Sequence, residues 1–287
     1  AKACLPLPPP QVRRQRDLSE WFLHGPLARL SRSLVSGLLM AVASACWGAS
    51  FVWIKTGVRT ISPVTLAALR YSLASAVLLA VVLPNRKIRR QAFSLALWKT
   101  FLLIGFVGTF LPNLLQNYGM VYLNAGISSV IQGAGPVYTS LLAAAVLSER
   151  FGLRKAVGAV LAISGTGLLS LGSGSNGAHV GSVIGVVLVT LSALSYSVYT
   201  VMMRRSLLNL VNPVSLLAGT FSAGTIQLLV VALILDHSLG LPNMGVAEAK
   251  LVLALSLIST LVAYLCYVAA LGRMEASKVS YLSLIHI

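Results

Sequence analysis

The chain has 287 residues, 57% hydrophobic and only 10% charged, with a formal net charge of +16 at pH 7 and a mean hydropathy of +0.86. Charged residues make up near a quarter of an ordinary soluble domain, so this composition excludes one and predicts an all-α integral membrane protein. The excess positive charge gathers in the connections between apolar runs, which is a topology signal and predicts no nucleic-acid partner.

Residues 1–33 open on Ala1 rather than Met and place Pro6, Pro8, Pro9 and Pro10 before a stretch rich in arginine. This segment reads as a basic cytoplasmic tail without fixed structure, and the true start is expected upstream. A transit peptide is the weaker reading because Asp17, Glu20 and Trp21 fit it poorly.

Apolar runs long enough to span the hydrocarbon core follow at 34–57, 62–83, 97–120, 124–147, 153–171, 180–203, 212–235 and 250–271, and a ninth begins near Ser277. The first carries Ser44, Trp47 and Ser50, with Lys55 and Arg59 at its outer end, where both are expected to snorkel. The second carries Arg70 about ten residues into the run, where a guanidinium is tolerated only against protein, water or substrate. Arg70 is therefore expected to face the interior as a positive group that draws a substrate anion, the structural alternatives being a tie to free backbone carbonyls or an outward snorkel. In the third, Pro112 precedes Asn113, Gln116 and Asn117, whose spacing puts three amides on one helix face. That stripe lines a cavity or bonds a neighbouring helix. The fourth contains Gln132-Gly133-Ala134-Gly135-Pro136, expected to break the helix in mid-membrane. Between the fifth and sixth runs, residues 172–179 begin Gly172-Ser173-Gly174-Ser175-Asn176-Gly177, a glycine pattern without the strand that a dinucleotide loop needs, and read as a linker. The sixth offers Ser192, Ser195, Tyr196 and Tyr199, and the eighth Ser259, Thr260, Tyr264 and Tyr267. Aromatic rings with a polar edge suit a cavity for amphipathic solutes, and equally suit packing or the interface.

Eighteen of the 22 Lys and Arg residues fall on alternate connections that share the side of the N-terminus, and three on the other side. This predicts a multi-pass protein with its N-terminus in the cytoplasm, and the membrane expected is the inner (plasma) membrane. Pro63–Leu83 recurs as Pro213–Leu233 with nine of 21 positions identical. With five spans per copy the second copy starts on the opposite side, so the expected organisation is an inverted repeat of two five-helix units, 34–171 and 180–287. Matching Ala125 with Ala276 puts Pro136 opposite Ile287, so the second copy is expected to be cut short. Leu282–Ile287 match a translated transposon mosaic-end from sequencing libraries, and adapter sequence is expected there in preference to a natural terminus.

No catalytic set assembles: no zinc-type histidine pair, no nucleophile elbow, and no acidic residue in the middle of a span that could relay protons. Cys4, Cys46 and Cys266 are too scattered for disulfides or a metal cluster. The chain is expected to be no enzyme and to need no cofactor or metal.

Trp47-Gly48-Ala49-Ser50-Phe51 with Lys55, Ser62-Pro63 with Leu69-Arg70-Tyr71, Pro136, Glu149-Arg150, and Leu261-Val262-Ala263-Tyr264 with Ala276-Ser277 together resemble the EamA family of the drug/metabolite transporter superfamily. The resemblance implies ten transmembrane helices around a central cavity and export of small metabolites, amino acids or drugs. The reading is a permease that moves a small organic solute by alternating access, as a monomer or homodimer in the lipid bilayer. Its expected substrate cavity comprises Trp47, Arg70, Asn113, Gln116, Asn117, Gln132, Pro136, Ser195, Tyr196, Tyr199, Tyr264 and Tyr267. The alternatives are a non-transporting membrane scaffold or lipid-interacting protein, and a nucleotide-sugar or phosphate-ester exchanger, which would want more interior cations than Arg70.

Overall fold

The computed structural model describes residues 32–148, 157, 164–165, 180–209, 211–236 and 244–282. The expected N-terminal tail, most of the fifth span, the glycine-rich linker and residues 283–287 lie outside the described residues. Within them all regular structure is helical, and seven helical paths are long and apolar enough to cross a membrane. These are Leu34–Gly57, Pro63–Val82, Leu95–Tyr122, Ala125–Leu147, Val183–Leu208, Pro213–Asp236 and Val246–Leu271, close to the apolar runs of the sequence.

The elements are α1 (Arg32–Gly57), α2 (Pro63–Val82), α3 (Arg86–Ala92), α4 (Leu95–Gly105), α5 (Leu111–Tyr122), α6 (Ala125–Gln132), α7 (Gly135–Leu147), α8 (Val180–Leu208), α9 (Pro213–Asp236), α10 (Val246–Ala254), α11 (Ala263–Leu271) and α12 (Ala276–Leu282). A π-helical stretch, Phe106–Phe110, joins α4 to α5, and another, Leu255–Val262, joins α10 to α11. Local chemistry sets the boundaries. Pro63 and Pro213 open α2 and α9, where a missing N–H costs nothing. Asn124 caps α6 by accepting from the Ile127 amide at 2.8 Å, and Asn212 caps α9 by accepting from Val214 at 2.9 Å and Ser215 at 3.2 Å. Helix α7 ends where Ser148 turns left-handed at φ 55°.

The two copies of the repeated segment, α2 and α9, lie side by side at the centre and run antiparallel. Thr65 near the start of α2 hydrogen-bonds Asp236 at the end of α9, while Ser215 near the start of α9 donates to Ile88 O, past the end of α2, at 3.0 Å. Midway, Ser75 and Thr225 share a hydrogen bond of 2.9 Å, and the Tyr71 and Phe221 rings meet edge-to-face at 5.2 Å. Both are pairs of equivalent positions in the repeat. Helices associate in lipid through close packing rather than a hydrophobic drive, and small residues permit it. A Cβ on Gly105 would lie 2.7 Å from Thr220 O and 2.8 Å from Gly224 N, so α4 and α9 touch backbone to backbone. Helix α8 packs along α5 and α7, and α11 along α1. Leu38, Val52, Val81, Val230 and Ile234 point outward, a lipid-facing surface that water would not tolerate.

Candidate substrate cavity

Two interruptions shape the centre. Pro112 has no N–H to give Gly108 O, and its ring would press on that carbonyl. The helix widens into the π stretch, in which the Leu111 amide reaches Phe106 O, five residues back. In the next span α6 stops at Gln132 and α7 restarts at Gly135, so the glycine and proline positions do break the helix as expected. Backbone carbonyls at both interruptions find partners on one helix. From α8, Ser195 Oγ donates to Val107 O and Ser192 Oγ to Pro112 O, each at 2.8 Å, and Ser197 Oγ donates to Gly135 O at 3.1 Å. An unpartnered backbone group in the membrane costs several kcal/mol, so these serines splint both breaks. Gly108 fits there because a Cβ would run into the Tyr199 ring.

The cavity beside the breaks measures about 80 Å³. It is well below the roughly 300–1,000 Å³ of small-molecule pockets. Arg70 from α2, Asn113 and Gln116 from α5, and Gln132 and Pro136 at the broken span form one part of its wall; Trp47, Tyr196, Tyr264 and Tyr267 form another. Arg70 is 5% exposed. Its Nε donates to Thr260 Oγ1, which in turn donates to Leu255 O at 2.9 Å, so the guanidinium is tethered to the second π stretch. Its Cζ lies 5.3 Å from the Tyr71 ring centroid. No carboxylate among the described residues pairs with it. The Asn113 amide donates to Tyr71 Oη at 3.0 Å, and Tyr71 Oη donates to Tyr264 Oη at 3.2 Å, while Tyr267 Oη donates to Thr200 Oγ1 at 2.8 Å. Trp47 is ringed by Tyr196, Tyr264 and Tyr267 at 5.9, 5.6 and 5.5 Å between centroids. Two cavity residues retain unused polar capacity: the buried Gln132 Oε1 and Tyr196 Oη have no hydrogen-bond partner among the described residues. A guanidinium, buried polar atoms and aromatic faces thus share one small space.

The EamA-like transporter family model matches residues 35–171 and again residues 183–286. The chain belongs to the EamA-like transporter family. An uncharacterized transporter of Archaeoglobus fulgidus is 29% identical over 85% of this chain and 83% of its own length. A probable amino-acid metabolite efflux pump of Escherichia coli is 27% identical over 87% of this chain and 82% of its own length. One solved crystal structure, at 20% identity, shares the fold with a TM-score of 0.69 over 89% of this chain and 85% of that one. The protein is a multi-pass membrane transporter.

In this EamA-like chain nine of the twelve expected cavity residues line the space, and Asn117, Ser195 and Tyr199 do not. Asn117 Nδ2 donates to Pro63 O at 2.9 Å and holds the first turn of α2. Ser195 serves the π stretch, and Tyr199 is fully buried behind Tyr196, 5.4 Å away. Lys55 Nζ donates to Met120 O at 2.7 Å and Val121 O at 3.2 Å, closing the C-terminus of α5. Thr139, Thr200 and Ser280 line the cavity without any signal in the sequence, because a single hydroxyl in an apolar run has no periodicity to expose it.

Proposed function

We propose that this transporter exports small organic solutes bearing a carboxylate, amino acids and compounds built like them, by alternating access. The observation that carries the reading is Arg70, a buried guanidinium on the cavity wall whose Nε is tethered to Thr260 and which pairs with no carboxylate among the described residues. A substrate carboxylate supplies the missing charge-assisted hydrogen bonds. The aromatic faces of Trp47, Tyr196, Tyr264 and Tyr267 and the free Gln132 Oε1 receive a substrate ammonium or apolar side chain. The name of the E. coli relative points to the same class.

In this reading the units at 34–171 and 180–287 are inverted repeats, the N-terminus faces the cytoplasm, and the protein sits in the inner membrane. The units rock about the α2–α9 pair, and the interruptions at 106–110, 133–134 and 255–262 absorb the bending. A polar cavity disfavours the dry scaffold alternative, and one interior arginine disfavours a phosphate-ester exchanger. The test is growth on toxic amino-acid analogues of a strain lacking its own exporters. Cells expressing the protein grow where vector controls stop, and R70A and Q116A cells do not. Parental resistance in both variants overturns the site, and resistance equal to vector for the parent on every analogue overturns the substrate class.

A further inference from the structure

Helix α3 is too short to cross a membrane, yet it is built with care. Asn85 caps it, its Oδ1 accepting from the Lys87 amide at 3.1 Å and the Ile88 amide at 3.3 Å. One side is fixed to the protein: Ile88 and Ala92 are buried, Ile88 O accepts from Ser215, and Gln91 Oε1 accepts from the Asn212 amide at 2.9 Å. The rest presents Arg86, Lys87, Arg89 and Arg90, all exposed. Arg89 also reaches Leu83 O at 3.0 Å. None of the four is ion-paired to a described carboxylate. Leu83 just before the helix and Phe93 and Leu95 just after it are exposed apolar residues; α2 before it is a candidate membrane span, and α4 after it begins the next one. The four charges therefore sit between the ends of two candidate spans, flanked by exposed apolar side chains.

Topological sorting of basic residues requires only that they stay on one side of the membrane; it does not require a capped helix pinned to the start of α9. We infer that α3 is a binding surface for anionic phospholipid, in which Arg86, Lys87 and Arg90 hold headgroup phosphates of the adjoining leaflet. Four basic residues directly following a span are a recognised arrangement for such lipids, each charge adding an increment that salt weakens. Because Ile88 and Gln91 bond the first turn of α9, the bound lipid also braces the α2–α9 pair from one side of the bilayer.

The test is independent of transport. Purified full-length protein in neutral detergent is titrated with phosphatidylglycerol or with phosphatidylcholine of the same acyl chains, and retained lipid is counted by native mass spectrometry. The parent retains phosphatidylglycerol in preference, and raising salt reduces that preference. The R86Q/K87Q/R90Q variant loses about tenfold or more in apparent affinity for phosphatidylglycerol, with phosphatidylcholine unchanged. The charge-preserving R86K/R90K variant keeps parental affinity. These are exposed positions, so thermal unfolding of both variants stays near the parent and separates lost binding from lost fold. Equal phosphatidylglycerol retention by the parent and the triple-Gln variant overturns the proposal, and so does equal retention of the two lipids by the parent.

Discussion

Helices α2 and α9 carry the two similar sequence segments and, within those segments, differ in charge at one position. In α2 it is Arg70, which reaches the cavity and Thr260; in α9 it is Thr220, fully buried, whose hydroxyl donates to Leu217 O of its own helix at 3.1 Å. The shared packing is still visible in the Ser75–Thr225 and Tyr71–Phe221 contacts. The pair packs through side chains at equivalent positions, while α2 brings a charged side chain to the cavity and α9 does not. In α9, the Thr220 side chain is fully buried, and its backbone carbonyl lies against Gly105 of α4.

The comparison can be broken from either side. The largest effect is expected from T220R, which puts an unpartnered charge into that contact at a cost of several kcal/mol. Folded protein recovered from detergent falls below detection, as read by size-exclusion chromatography. Next is R70A, which removes a membrane-buried charge and leaves thermal stability at or above the parent, while the apparent KM for carboxylate substrates rises roughly 10–100-fold. A fall in stability with KM unchanged would make Arg70 a structural tie. Smaller is T260V, which deprives Arg70 Nε of its acceptor and raises the apparent KM about tenfold, while T260S restores the parental value. Smallest is the Ser75–Thr225 bond across the pair. A double-mutant cycle of S75A and T225V is expected to give a coupling of about 0.6 kcal/mol, as interhelical hydrogen bonds in membranes do.

Much of this comparison could be read from the sequence, and the rest could not for identifiable reasons. Span lengths follow from hydropathy, Arg70 declares itself by its cost in lipid, and Gly133 to Pro136 by the backbone freedom and missing N–H they bring. A helix apolar on all sides does not reveal which face turns inward, so Tyr199 and Asn117 were expected at the cavity and lie behind it. The second π stretch, Leu255–Val262, contains no proline to announce it. Thr260 and the serines of α8 work through carbonyls on other segments or on earlier turns, and tertiary packing alone brings those partners together.

The most direct test of Arg70 as the carboxylate anchor is counterflow into proteoliposomes, comparing an L-amino acid with the amine left when its carboxylate is removed. The parent should favour the acid by about tenfold or more, and R70A should bring that ratio near one. An R70A protein that keeps the parental ratio would contradict the account.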